Sequence, residues 1–126
     1  MAKARRVFTA SSPRSTCPIA CALDLLGDRW SLLLVRDLFA GKSRYGEFLA
    51  SAEGIPTNIL ADRLARLEAV GLITSEAYQD NPPRYAYRLA PKGRDLKPVL
   101  SALALWSARH VPEAEMNEKM KALLKG

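Results

Sequence analysis

A chain of 126 residues with 48% apolar content is sized for one compact domain around one core, and a second independent domain is not expected. Nineteen Lys and Arg against thirteen Asp and Glu leave a formal charge of +6 and a pI near 9.6, a balance that points to a polyanionic partner. No stretch reaches the roughly 18 to 20 consecutive apolar residues of a bilayer span, and the N-terminus carries no apolar signal region, so a cytosolic protein is expected.

The surplus charge is uneven. Residues 1–16 hold Lys3, Arg5, Arg6 and Arg14 and no acid, which is four of the six surplus charges. They are expected to form a flexible basic arm, either a phosphate or minor-groove contact or a solvated tail. Residues 17–126 are then one folded domain. Two cysteines, Cys17 and Cys21, are too few and too close for a disulfide framework, which leaves redox or packing roles.

Pro18 suits the first turn of a helix, and Ile19, Leu23 and Leu26 follow at helical spacing. Gly27 is expected to end that helix in the left-handed conformation and Asp28 to cap the next one. From Trp30 to Phe39 the run is apolar over more than one face, which predicts the central helix, closed by Gly41. Ser43 is a candidate cap for a short helix with Tyr45, Phe48, Leu49 and Ala52 on one side. Ile55 to Gly71 predicts a long helix with a Leu60, Leu64, Leu67 stripe. Asn58, Asp62, Ala65 and Ala69 fall on the opposite side, with Arg66 at its edge.

The period then changes to two. Leu72 to Tyr78 and Arg84 to Leu89 alternate around a Gln79, Asp80, Asn81, Pro82, Pro83 turn, which predicts a hairpin with Arg84 and Arg88 turned away from the core. Pro91 opens a last long helix bearing Leu96, Val99, Leu100, Leu103 and Trp106, with Leu105 off the stripe and a bend expected at Pro98. A shorter helix is expected over Glu113 to Leu124.

Helices, a helix pair, a hairpin and a further long helix in this order predict a mainly α fold with a small β-hairpin wing, the winged helix-turn-helix. In such a fold the second helix of the pair enters the major groove of double-stranded DNA, and its N-terminal residues reach base edges. Here those are Thr57 and Asn58. Asn pairs with adenine, and Thr can contact a base or simply cap the helix. Candidate phosphate contacts are Lys42, Ser43, Arg44 and Tyr45, where unpaired N–H groups at a helix start also favour an anion. Arg84 is the candidate wing-tip contact. Asp62, Arg63 and Arg66 complete the groove-facing set, although Arg63 and Arg66 could equally pair with Asp62 or Glu68 on the helix surface.

Blocks along the chain carry a family likeness. Cys17-Pro18, Leu26-Gly27-Asp28-Arg29-Trp30, Arg44-Tyr45-Gly46-Glu47-Phe48, Gly54-Ile55-Pro56-Thr57-Asn58-Ile59-Leu60, Arg63-Leu64, Leu67-Glu68, Gly71-Leu72, Pro83-Arg84-Tyr85-Ala86-Tyr87 and Lys92-Gly93 occur in an order and spacing that resembles the HxlR-type regulators, relatives of the bacterial MarR group. The resemblance spans roughly residues 17 to 108. It implies a homodimer, joined through N- and C-terminal helices, that presents two recognition helices to successive major grooves of a pseudo-palindromic site.

The residues suit this independently, because Leu96, Val99, Leu100, Leu103, Leu105 and Trp106 offer more apolar surface than one small domain readily covers, unless the stripe only closes the monomer core. The likeness also implies oxidant or electrophile sensing at Cys17, since some members use a cysteine at this place. A thiolate there is favoured by the helix dipole. Cys21, four residues on in a helix, would lie about 5 to 6 Å away between Cβ atoms, beyond the roughly 3.5 to 4.5 Å of a disulfide. An intermolecular or mixed disulfide is therefore the expected product, and inert cysteines are the alternative.

No nucleophile has a base and orienting partner in motif, and no P-loop, dinucleotide fingerprint or zinc spacing is present. An enzyme is not expected, nor a cofactor or metal, with His110 the only other soft ligand. The rival readings are a winged-helix module that binds protein alone and a regulator that responds to a small molecule.

Overall fold

The computed structural model describes residues 14–125. Lys3, Arg5 and Arg6 of the expected basic arm lie outside the described residues. Arg14 lies inside them, with its Nε 2.6 Å from Asp24 Oδ1.

Helix α1 runs Pro18–Leu26 with proline in its first turn, where a missing N–H costs nothing. Gly27 ends it, though not in the left-handed conformation expected: its φ is −78°, and the Leu23 carbonyl oxygen sits where a Cβ would go. The helix therefore stops at a residue chosen for close approach. Asp28 then takes over as expected. Its carboxylate accepts from the Trp30 and Ser31 N–H groups, both at 3.0 Å, and from the Ser31 hydroxyl at 2.6 Å. This satisfies donors at the start of α2, Ser31–Phe39, which have no partner within the helix.

Helix α2 buries Leu34, Val35 and Leu38, and Gly41 after it has a φ of 98°, a conformation glycine alone adopts at no cost. The short helix α3, Tyr45–Leu49, puts Phe48 into the core. Ser43 does not cap it with its side chain; Glu47 reaches back instead, its Oε1 accepting from Ser43 N–H at 2.8 Å and Arg44 N–H at 2.9 Å. The backbone at Arg44 is extended, and this segment runs beside the later hairpin. The Ser43 carbonyl accepts from Tyr87 N–H, and Arg44 bridges Ala86.

Helix α4 spans Thr57–Ala69, two residues shorter at each end than the spacing predicts, since Pro56 is its extended N-cap and Ile55 is a buried lead-in. Leu60, Leu64 and Leu67 are fully buried, each worth roughly 1.5 to 3 kcal/mol over exposure. It closes on Gly71, φ 83°, with Leu72 N–H bonded to the Leu67 carbonyl and Gly71 N–H to that of Glu68, the pattern of a Schellman cap. Lys92 Nζ donates to the Val70 carbonyl at the same end.

Strands β1, Ile73–Asp80, and β2, Pro83–Leu89, pair antiparallel, with buried Ile73 opposite Leu89 at the base. Pairing continues to Asp80 opposite Pro83, so the turn is tighter than the Gln79 to Pro83 cluster predicts, and the Asn81–Pro82 bond is cis. The register shifts between Ala77 and Gln79, which leaves Tyr78 without a partner across the ladder.

The expected long helix after Pro91 is two helices: α5, Pro91–Arg94, and α6, Lys97–His110. Pro98 removes the bond that would have tied it to Arg94 and so falls in the first turn of α6. The effect is a break where a bend was expected. Gly93 of α5 is buried with the Leu72 carbonyl against it. Helix α7, Glu118–Leu124, starts later than Glu113, where the Asn117 side chain accepts from Met120 N–H at 2.8 Å.

Candidate nucleic-acid interface

The N-terminal side of α4 faces outward. Thr57, Asn58, Asp62, Ala65 and Ala69 are all exposed, opposite the buried leucine stripe. Thr57 is the first helical residue, and the cap position before it is held by Pro56, which has no side-chain acceptor to offer. Tyr45 secures this end: its phenol donates to the Thr57 carbonyl at 2.6 Å and fixes α3 against the start of α4.

Arg63 and Arg66 are half-buried. The Arg63 guanidinium donates through Nε to Asp28 Oδ2 at 2.9 Å and through Nη1 to Asp62. Arg66 lies 3.9 Å from Asp62. Of the partners expected on the helix surface, Asp62 is used, while Glu68 accepts from the Ser75 hydroxyl instead. Burial alone would lower the Arg63 pKa, but the bonds and charges of Asp28 and Asp62 together outweigh it and the net shift is upward. Burial likewise pushes the Asp28 carboxyl up, yet the Ser31 hydroxyl, Arg63 and two backbone N–H groups hold it at about 2.

The four residues before and within α3 divide. The N–H groups of Ser43 and Arg44, expected to face an anion, are taken by the Glu47 carboxylate, whose pKa is lowered by the Ser43 and Arg44 N–H bonds. Lys42 Nζ donates to Ser51 Oγ at 2.7 Å, and Ser51 donates to Asp37 Oδ2 at 2.6 Å. Asp37 is 4% exposed and also accepts from Arg36, which in turn grips Glu53. This network was not anticipated; its one sequence signal is an Arg-Asp pair inside an apolar run. Arg44 stays exposed, its guanidinium carbon 4.0 Å from the centroid of the Tyr78 ring.

On the wing, Arg84 and Arg88 are exposed as expected, and Arg88 Nη2 is 3.8 Å from Glu76. Between wing and α3 opens a cleft of about 350 Å³ that includes Arg44, Arg84 and all four tyrosines of the chain, Tyr45, Tyr78, Tyr85 and Tyr87. Tyr45, which lines this cleft, is also the residue bonded to the Thr57 carbonyl at the start of α4.

Two further surfaces hold the remaining candidates. Leu96, the N-cap of α6, and Leu100 within it pack on the core, whereas Val99, Leu103, Leu105 and Trp106 are 41 to 61% exposed. Ile19 and Leu23 of α1 are also exposed. Cys17 is the exposed N-cap of α1, and its N–H donates to Ser15 Oγ at 3.0 Å. Cys21 is partly buried, with its thiol 3.3 Å from the Ser15 carbonyl oxygen. Both thiols are unbridged. No described helix is long and apolar enough to cross a membrane.

A two-stranded wing beside an outward second helix defines a winged helix-turn-helix protein. Residues 25–115 match the HxlR-like helix-turn-helix family, and the chain belongs to that family. Among curated relatives, an uncharacterized HTH-type transcriptional regulator of Synechocystis sp., sll1512, is 42% identical over 87 residues, 69% of this chain and 64% of that protein. The chain thus matches less than two thirds of that relative's length. The solved structure of PA1607 superposes with a TM-score of 0.72 at 39% identity, covering 82% of this chain and 73% of the other. The redox regulator HypR in its oxidized form gives 0.67 at 32%, covering 75% and 97%.

Proposed function

We propose that the protein is a sequence-specific DNA-binding transcriptional regulator that acts as a homodimer on a pseudo-palindromic operator. The observation that carries this reading is the outward Thr57 and Asn58 end of α4, tied through the Tyr45 phenol to a cleft that Arg44 and Arg84 line. Asn58 reads an adenine edge, Thr57 contacts a neighbouring base, and Arg44 and Arg84 contact phosphates on either side. Lys42, with its amine turned to Ser51, and Arg63, engaged by Asp28, need to exchange partners before they touch DNA. Single helix-turn-helix units gain affinity and register by pairing at about 34 to 36 Å, one turn of the duplex. The exposed Ile19, Leu23, Val99, Leu103, Leu105 and Trp106 supply an apolar surface for that pairing.

The signal in this reading is oxidative. Cys17 lies exposed at a helix N-terminus, where the peptide dipoles favour a thiolate. The likeness to HypR, a redox regulator by name, supports the same role. The helix that bears Cys17 also bears part of the dimer surface, so a mixed or intermolecular disulfide changes how the two recognition helices are spaced. The reading assigns no catalysis and no cofactor.

Selection of bound duplexes from a random pool, run with reduced and oxidised protein, tests the whole reading. A two-fold-symmetric consensus enriched under one redox condition is expected. No enrichment over random competitor at moderate salt contradicts it.

A further inference from the structure

Resting on the DNA-binding reading above, one contact between α3 and the wing acquires a role. The Arg44 guanidinium carbon lies over the Tyr78 ring, 4.0 Å from its centroid, and no salt bridge competes for it among the described residues. Arg44's backbone is bridged to Ala86 on β2, while Tyr78 stands on β1 at the one position where the ladder slips. A bulge of this kind re-aims a side chain and bends its strand. Here the re-aimed side chain is the one that meets Arg44.

We propose that Tyr78 is a positioning residue for phosphate recognition: it holds the Arg44 guanidinium at the mouth of the wing cleft, oriented for a phosphate of the bound duplex. The chemistry favours a ring over a carboxylate at this place. Stacking uses the face of the guanidinium and leaves its in-plane N–H donors available, whereas an ion pair would consume them and cancel the charge. An ordered, weakly hydrated arginine also loses less side-chain freedom on binding than a solvated one. Because Arg44 is tied to β2 and Tyr78 to β1, the same contact fixes the wing relative to α3, and hence Arg84 relative to Asn58.

The test uses a fluorescently labelled random-sequence duplex at low salt, since non-specific binding reports the phosphate contribution alone. Tyr78→Leu, which keeps an apolar side chain at the bulge but no π face, is expected to weaken binding about two- to five-fold. Tyr78→Phe is expected to bind as the natural protein does, and Tyr78→Leu to add nothing in an Arg44→Ala background. Equal thermal midpoints for the three single variants rule out unfolding as the cause. Unchanged binding in Tyr78→Leu alongside a loss in Arg44→Ala overturns the proposal and leaves the DNA-binding reading standing. So does a Tyr78→Leu effect that persists without Arg44, or a Tyr78→Phe loss as large as that of Tyr78→Leu. Failure of the natural protein itself to bind any duplex overturns both.

Discussion

Arg63 Nε lies 2.9 Å from Asp28 Oδ2, which ties α4 to the turn that starts α2, 35 residues earlier in the chain. The same carboxylate caps α2 and so joins α2 and α4 at one point. Both side chains are about one fifth exposed, between the case of a surface pair and that of a buried one. Replacing Arg63 by Met is expected to cost roughly 1 to 2 kcal/mol, above an exposed ion pair and toward the lower range of a charge-assisted hydrogen bond. Chemical denaturation checks the figure. A double-mutant cycle with Asp28→Asn should give a coupling term of about the same size, and additive losses would mean that the two residues act separately.

Protonation reaches the same junction. The Asp28 carboxyl is held at about 2 against an ordinary 3.8, so the folded state binds its proton less readily than the unfolded chain. Its contribution is therefore fully present above the unfolded pKa and is lost as pH falls from about 4 toward about 2. The expected result is a natural protein whose stability drops more steeply over that window than that of Asp28→Asn. Denaturation midpoints compared at pH 5 and at successively lower pH values measure it. Parallel curves would show that Asp28 is not the group responsible.

The helices, the wing and the outward side of α4 were legible in the sequence because each is written in local periodicity. Leu60, Leu64 and Leu67 repeat at helical spacing and are buried, whereas the facing Asn58 and Asp62 are exposed. What was not legible depends on contacts between distant segments. Nothing near Arg63 in sequence points to Asp28, and nothing near Ser43 announces that its carbonyl accepts from Tyr87 N–H on the wing. Glu47 displaced the expected serine cap because an extended Ser43–Arg44 backbone brings two N–H groups within reach of one carboxylate. Pro98 was read correctly as a missing bond and incorrectly as a bend, since Leu96 already sits outside both helices.

Base reading and phosphate binding separate by mutation. Asn58→Ala is expected to relax preference by about 1 to 3 kcal/mol at one base pair and leave binding to random duplex nearly unchanged. Arg84→Ala should weaken binding to every sequence and lower the salt slope by about 1. Affinities on selected and random duplexes over a salt series distinguish the two. Equal losses on both DNAs for Asn58→Ala would remove it from base readout.

The exposed face of α6 bears on assembly. Leu103 and Trp106 are 49 and 61% exposed while Leu100 beside them packs on the core, so a charge at Leu103 reaches the surface without entering the core. Leu103→Glu is expected to convert a dimer to a folded monomer, visible in sedimentation equilibrium, and to lower affinity for a two-half-site duplex by at least about 30-fold, the equivalent of a 2 kcal/mol hot spot. A single half-site should be bound almost as before. An unchanged mass would place the pairing surface elsewhere.

Gly93 tests the packing that positions the wing. It opens toward the Leu72 carbonyl, which bonds Ala90 N–H at 3.0 Å, so that oxygen is held by the backbone on the other side and cannot yield. A methyl group at Gly93 would collide with it and would also press on Leu89 Cδ2, at 3.0 Å. Leu89 anchors the wing opposite Ile73, so relief of the clash is transmitted to the hairpin. Gly93→Ala is expected to destabilise by roughly 1 to 3 kcal/mol, the usual cost of overpacking, although alanine is ordinarily the better helix former. A thermal midpoint equal to or above that of the natural protein would mean that α5 can slide away from Leu72, and that the wing is not held from this side.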